Sequence, residues 1–143
     1  MPEPEGVPGV WFHGRRGEAL FEEGVPAFFT SDYQGAKWYA HERGDFGEEP
    51  RIYRAHLDIR NPASHDDLLR AVERAGATVE DVAAHSPYDG DNDLDYLYVP
   101  TVRDELERMG FDGYQGWDVL TNYEIPIVVA FHSSQVELQG ESF

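Results

Sequence analysis

The chain has 143 residues, 41% of them hydrophobic, and contains no cysteine. This length suits one domain with a core that needs no covalent or metal support. The lack of cysteine excludes disulfides, thiolate catalysis and cysteine-ligated zinc. With 28 acidic and 11 basic residues, the formal net charge is −17, which argues against tight binding to nucleic-acid phosphates.

The first nine residues contain three prolines and two glycines and predict an unstructured lead, so we assign the single domain to residues 10–143. No apolar run reaches membrane-spanning length, and the N-terminus shows no basic-then-apolar leader. We therefore expect cytoplasmic residence and no membrane contact.

The first third of the domain predicts two strands and a helix. Val10–His13 predicts a short strand that ends at the glycine after it, and Pro26–Thr30 predicts a second strand. A helix follows over residues 33–43, with a Ser-Asp pair before it as the cap.

The middle of the chain predicts a strand and an amphipathic helix. Polar and apolar residues alternate over Arg51–Ile59, which is typical of a half-buried strand. Ser64 begins a helix that we expect to bury Leu68, Leu69 and Val72.

The last third predicts helices first and strands afterwards. Thr78 begins a short helix, and a longer one covers residues 101–109. Phe111–Tyr114 predicts a turn into a strand that pairs as a hairpin with Gly116–Val119, and residues 135–139 predict an edge strand. Strands and helices that do not alternate regularly indicate an α+β fold.

A carboxylate stands at the start of the most apolar stretch of the chain. Glu124 precedes the β-branched run Ile125–Phe131, which predicts a strand buried on both faces. The end of such a strand is a rigid place from which to present an acid. A solvated strand cap is the alternative interpretation of Glu124.

The segment Asp89–Asp93 resembles the start of a calcium-binding loop. Leu94 and Pro100 stand where that loop needs its glycine and its glutamate. The segment therefore predicts a solvated loop, and we expect no metal site.

Several motifs follow one another in a specific order: His13-Gly14 at a strand end, Phe28–Asp32 at a strand-to-helix step, Tyr39 eight residues after Ser31, and Glu124 before Val-Val-Ala-Phe. In this order the chain resembles the ADP-ribosyltransferases, in the His-Tyr-Glu branch with diphtheria toxin and the poly(ADP-ribose) polymerases. The match spans nearly the whole chain. It implies a split β-sandwich of two small sheets with flanking helices around an NAD cleft.

The resemblance also implies a role for the main residues. Such enzymes break the bond between nicotinamide and ribose in NAD, and Glu124 would stabilise the positive charge that grows on the ribose. His13 would hold the adenosine-side ribose, while Gly14 would let the backbone approach the nicotinamide carboxamide. Tyr39, with Phe28 or Phe29, would stack on the nicotinamide ring.

Further residues would assist these. Thr30 or Ser31 would support the ribose or the catalytic carboxylate by a hydrogen bond. Arg15, with its neighbour Arg16, would neutralise the pyrophosphate, although both are equally compatible with ordinary loop charges. Asn122 occupies the position that selects the acceptor.

The chain departs from the family pattern at three positions. Phe28 lacks the phenol of the usual tyrosine, and Ala36 replaces the serine that binds the carboxamide. Asn122 is shorter than the usual glutamine or glutamate, which leaves the acceptor type open.

Purely structural roles remain open for the same residues. His13 is compatible with a half-buried histidine whose hydrogen bonds are satisfied, and Tyr39 with core packing. At least one of Phe28 and Phe29 must be a core residue, because consecutive strand residues face opposite ways.

These observations predict a mono-ADP-ribosyltransferase that uses NAD as substrate and modifies a protein with a basic surface. A bacterial or phage effector, a toxin or a defence inhibitor is the setting we expect. An NAD glycohydrolase, or a catalytically silent NAD-binding or protein-interaction module of the same fold, is the alternative.

Overall fold

The protein is described here from a computed structural model, which covers residues 9–16, 21, 23–42, 48–86, 93–120 and 123–141. The predicted lead (except Gly9), the calcium-like segment (except Asp93) and Asn122 lie outside these residues. The described part is a mixed α+β structure with one β-sheet and helices, which confirms the predicted fold class at that level.

The chain forms seven strands and four α-helices within the described residues. The strands are β1 (Trp11–Arg16), β2 (Ala27–Thr30), β3 (Pro50–Leu57), β4 (Pro62–Ala63), β5 (Gly113–Leu120), β6 (Tyr123–Ala130) and β7 (Val136–Glu141). The helices are α1 (Tyr33–Glu42), α2 (His65–Ala75), α3 (Val79–His85) and α4 (Pro100–Arg108), with 3-10 turns at Asp93–Tyr98 and Ser133–Gln135. None of these helices is long and apolar enough to cross a membrane.

Hydrogen bonds join the seven strands into one sheet in the order β4-β5-β6-β2-β1-β3-β7. The expectation of two separate small sheets is therefore wrong for the described residues. β2 is the reason, because it pairs with β6 on one side and with β1 on the other and so links the two halves. Only β4 and β5 run parallel; the other pairs are antiparallel.

The sheet bends so that its two halves meet. The Asp112 carboxylate, just before β5, accepts hydrogen bonds from the backbone N–H groups of Arg60 (2.7 Å) and Asn61 (2.8 Å), which lead into the neighbouring strand β4. The Gln135 amide bridges the carbonyls of Asp112 (2.6 Å) and Asp58 (3.3 Å). Because three strands separate β3 from β5, a flat sheet would hold them roughly 19 Å apart.

One face of the bent sheet encloses a small apolar core, and the helices cover the other face. The enclosed core consists of Trp11, Ala27, Phe29, Ala55, Leu57, Ile59, Val128 and Ala130. The larger core under the helices includes Phe28, Tyr39, Leu68, Leu97, Leu106, Tyr114, Ile125, Ile127 and Val129. Both faces of β6 are thus buried, as its sequence predicts.

The helix boundaries follow the predicted caps. Ser64 and Thr78 each accept a hydrogen bond from the third residue of α2 and α3, and Gly76 ends α2 in the left-handed conformation. The predicted inward face of α2 is partly wrong, because Leu69 is 43% exposed and Ala71 is fully buried in its place. Contacts with α4 decide this orientation.

Two strand predictions also need correction. β1 continues through Gly14 to Arg16, because every residue from Trp11 to Arg16 pairs with β3. Residues 113–120 form the single strand β5, which pairs with β6 along its whole length instead of folding back as a hairpin. β4 and the 3-10 turn at Asp93–Tyr98 were not predicted from the sequence.

Candidate functional site

Glu124 stands at the start of a firmly held strand. It is the second residue of β6, its side chain is exposed, and it pairs with Val119 on β5. The next residue, Ile125, is fully buried. The Thr30 hydroxyl donates to the carbonyl of Pro126 at 2.7 Å and ties the end of β2 to β6 close to Glu124. The carboxylate is therefore presented to solvent from a rigid position.

His13 is held in a fixed tautomer within β1. Its side chain is buried, and Nδ1 lies 2.8 Å from the carbonyl oxygen of Phe28. Because a carbonyl oxygen only accepts, Nδ1 carries the proton. The rings of Phe21 and Phe29 pack on the imidazole, with centroid distances of 5.0 and 5.3 Å. This packing fixes the orientation of the ring.

Three of the predicted site residues share one face of the sheet. Phe29 lies opposite Val128 on β6 and packs on the ring of His13, so these three side chains are on one face. Glu124 is four residues before Val128 on the same strand, and because strand side chains alternate, Glu124 is on this face too. Four residues span roughly 13 Å along a strand, and two strand spacings add roughly 10 Å across the sheet. Glu124 and His13 are thus too far apart to contact one sugar ring.

Gly14 lies on the opposite face, beneath α1. A Cβ atom at this position would lie 1.9 Å from the carbonyl oxygen of Ala36. Any side chain here would push α1 away from the sheet. The structure thus gives Gly14 a packing role, independent of the nicotinamide approach that the resemblance implies.

Phe28 and Tyr39 also lie on the helix-covered face. Phe28 is buried and stacks on Tyr98, with a centroid distance of 5.5 Å and an interplanar angle of 21°. Tyr39 is buried in the same core, and its hydroxyl donates to the carboxylate of Asp118. Phe28, and not Phe29, is therefore on the same face as Tyr39.

Asp118 is a buried carboxylate that sequence reasoning missed. It accepts hydrogen bonds from the Tyr39 hydroxyl and from the backbone N–H of Val119 at 2.9 Å. Burial, with the nearby Asp93 and Asp118 carboxylates, raises the pKa of Tyr114 to about 12. If residues 113–120 are taken as one strand, Tyr114 and Asp118 fall on the same face, which would have indicated that Asp118 is buried. The predicted hairpin placed the two residues on different strands.

We expect Asp118→Val to destabilise the protein by about 1–3 kcal/mol, because it removes a buried hydrogen bond to a charged acceptor. Tyr39→Phe removes the same bond from the other side. In chemical denaturation, the double variant should therefore lose less free energy of unfolding than the sum of the single variants. Strict additivity would show that this bond contributes nothing to stability.

The remaining predicted site residues are more scattered. Arg15 is half-buried on β1 opposite Arg51, and its Nε donates to the Arg16 carbonyl at 3.2 Å. Ser31 follows β2 directly and is exposed. Thr30 is fully buried and already binds β6, while Asn122 lies outside the described residues.

No family model, curated protein or solved structure matches this chain. Functional inference therefore rests on the residues and their geometry. Within the part of the chain that the structure describes, no group of three or more His, Asp or Glu side chains is arranged to hold a metal ion.

A second cluster of charged side chains joins three distant segments. Nδ1 of His132 forms a hydrogen bond with the Glu23 carboxylate, and Nε2 of the same ring lies 2.9 Å from Oε2 of Glu107. The hydrogen bond to Glu23 and then that to Glu107 raise the pKa of His132 above its ordinary 6.5. The same bond to His132, with help from Ser133, lowers the pKa of Glu23 below 4.5.

A buried guanidinium supports the same region. Arg103 on α4 donates to the carbonyls of Leu97 (2.8 Å) and Gly24 (2.6 Å). Burial lowers the pKa of Arg103, and nearby carboxylates oppose this shift. The contact with Gly24 ties the turn that leads into β2 to α4, and the contact with Leu97 ties the 3-10 turn to the same helix.

We expect the His132 cluster to make stability depend on pH. Since the folded-state pKa of His132 is raised, its stabilisation is fully present below pH 6.5 and is lost as the pH rises through the raised value. Since the pKa of Glu23 is lowered, the stabilisation that ionised Glu23 contributes is present above pH 4.5 and is lost as the pH falls through the lowered value. The melting temperatures of wild type and His132→Gln should therefore differ most between these limits and converge at alkaline pH. His56→Gln, at an exposed position on β3, is the control and should not reproduce the difference seen with His132→Gln.

Proposed function

We propose that this chain is a mono-ADP-ribosyltransferase that moves ADP-ribose from NAD to a protein acceptor. One observation carries the proposal: the exposed carboxylate of Glu124 stands at the head of a buried strand, on the sheet face that also bears His13. The chain thus has an exposed anionic group and a buried, oriented imidazole on one face of the sheet. The order of the motifs in the sequence supports the same assignment.

In the proposed reaction, the bond between ribose C1′ and the nicotinamide nitrogen breaks, and nicotinamide leaves with the bonding electron pair. The acceptor nucleophile forms a new bond to C1′ and loses a proton. Positive charge grows on the ribose before the new bond is complete. The Glu124 carboxylate, facing that charge, would lower the barrier and orient the acceptor.

The acceptor is proposed to be a protein with a basic surface. The net charge of −17 attracts a cationic partner and repels nucleic acid. Action in a cytoplasm, as a bacterial or phage effector or toxin, belongs to the same proposal.

Two other functions each have one observation in their favour. The exposure of Glu124 leaves it open to water, which favours an NAD glycohydrolase. Phe28 and Tyr39 are packed in the core against Tyr98 and Asp118, which favours a module that keeps the fold without stacking on nicotinamide.

One assay separates the three functions. The purified protein is incubated with NAD, with and without host cell lysate, and free nicotinamide is followed. Release only with lysate, together with a labelled protein band, supports the transferase. Release without lysate supports the hydrolase. A protein that releases no nicotinamide under either condition is the silent module, and the proposed function is then wrong.

A further inference from the structure

The most exposed of the large apolar side chains in the described residues lie side by side near Glu124. Trp117 and Val119 are 62% and 64% exposed, and their alternation along β5 puts both on the same face. They pair with Pro126 and Glu124 on β6. Among the described strands, β5 pairs with β6 alone at this level, since the pairing with β4 ends at Tyr114. Adjacent exposed apolar side chains of this kind mark interaction sites.

A hollow of about 320 Å³ opens beside Trp117. Two prolines and the indole give it apolar walls, and a hydroxyl and an amide add polar groups. Its main lining residues are Pro62, Ser64, Gln115, Gly116, Trp117 and Pro126. This volume is at the lower end for small-molecule sites, so it suits one long amino-acid side chain better than a whole dinucleotide.

Both signs of charge occur near the hollow, but the basic side chains, Arg60 and Arg70, are each paired with an aspartate. Glu124 lies next to Val119 across the strand pair, and Asp66 is exposed in the first turn of α2, two residues after Ser64. The chain as a whole carries −17. A long cationic side chain meets each requirement, because its stem packs on proline and indole while its charge faces carboxylates and the tryptophan ring.

We infer that the hollow beside Trp117 docks a lysine- or arginine-bearing segment of a protein partner. A second copy of this chain would bring another net charge of −17, and nucleic acid would bring phosphates, so both would be repelled. The docking rests on the hollow, the exposed indole and the charges. The further statement that the docked partner is the acceptor rests on the proposed function, because docking here holds the partner beside Glu124.

The test is direct binding of a fluorescently labelled synthetic peptide in which arginine or lysine alternates with leucine, followed by anisotropy at low salt. We expect wild type to bind this peptide, to bind it more weakly as the salt concentration rises, and to ignore a glutamate-leucine peptide. Trp117→Ala should weaken binding roughly tenfold or more, as truncation of a central tryptophan does at interfaces. Trp38→Ala is the matched control, because Trp38 is also exposed (40%) but lies on α1.

Several outcomes would overturn the docking inference. The inference is wrong if wild type does not bind the basic peptide, or if Trp117→Ala binds it as tightly as wild type does. It is also wrong if light scattering shows that wild type is a dimer and Trp117→Ala is a monomer. Val119→Ser is a second variant of the same patch, so a misfolded Trp117→Ala protein would not block the test. Peptide binding by wild type without any nicotinamide release, with or without lysate, would retain the docking site and reject only the transferase.

Discussion

We expect Glu124→Gln to lower the rate of nicotinamide release by roughly 100- to 1000-fold, the usual loss when one preorganised electrostatic contact to a transition state is removed. Glutamine keeps the size and the hydrogen-bonding oxygen of the side chain and loses only the charge. The rate should therefore fall while the affinity for NAD persists. Nicotinamide release and NAD binding by calorimetry are the two measurements.

Stability should not change with this substitution, because Glu124 is exposed and changes at such surface positions usually stay within about 0.5 kcal/mol. Glu137→Gln is the matched control, with the same chemistry at an exposed position on β7. It should release nicotinamide at the wild-type rate. Equal rates for wild type and Glu124→Gln would remove Glu124 from the mechanism and leave the proposed function without its catalytic group.

We expect Gly14→Ala to destabilise the fold by about 3 kcal/mol, the upper part of the range for overpacking. The new Cβ atom would lie 1.9 Å from the Ala36 carbonyl oxygen. The atoms that it would meet, in Ala36 and Ala40, all belong to the backbone. No side-chain rotation relieves this contact, so α1 must move away from β1. Chemical denaturation measures the loss.

Gly35→Ala provides the comparison for this prediction. Its nearest contact is the Cδ1 atom of Ile125 at 2.7 Å, at the flexible end of a side chain. Ala also favours the helix over Gly by about 1 kcal/mol, so the net loss at Gly35 should be much smaller than at Gly14. Similar losses at the two positions would show that α1 has room to shift.

The packing around Gly14 gives this glycine a reason that is independent of the family resemblance. A glycine after His13 is one of the motifs that carry the resemblance, and close packing of α1 is a sufficient reason for it. Glu124 has no such structural reason, because it is exposed and lies outside both cores. Glu124 is therefore the residue on which the proposed function depends most.

The sequence by itself determined the local features of this protein. The caps at Ser64 and Thr78, the left-handed glycine that ends α2, and the alternation along β3 all follow from hydrogen bonds and side-chain directions within a few residues. The strand that carries Glu124 was predictable for the same reason, since a continuous β-branched run favours a strand with both faces buried.

Only the tertiary structure decided how distant segments meet. Tyr39 and Asp118 are 79 positions apart and share a hydrogen bond. β2 pairs with both β1 and β6 and so makes one sheet instead of two, and the Gln135 amide, which bridges the carbonyls of Asp58 and Asp112, holds this sheet bent. The same bend encloses Phe29 with His13, while Phe28 packs under the helices with Tyr39. Neighbouring residues on a strand face opposite ways whatever their neighbours are, but which face meets which partner depends on strand order and twist, and these depend on the whole chain.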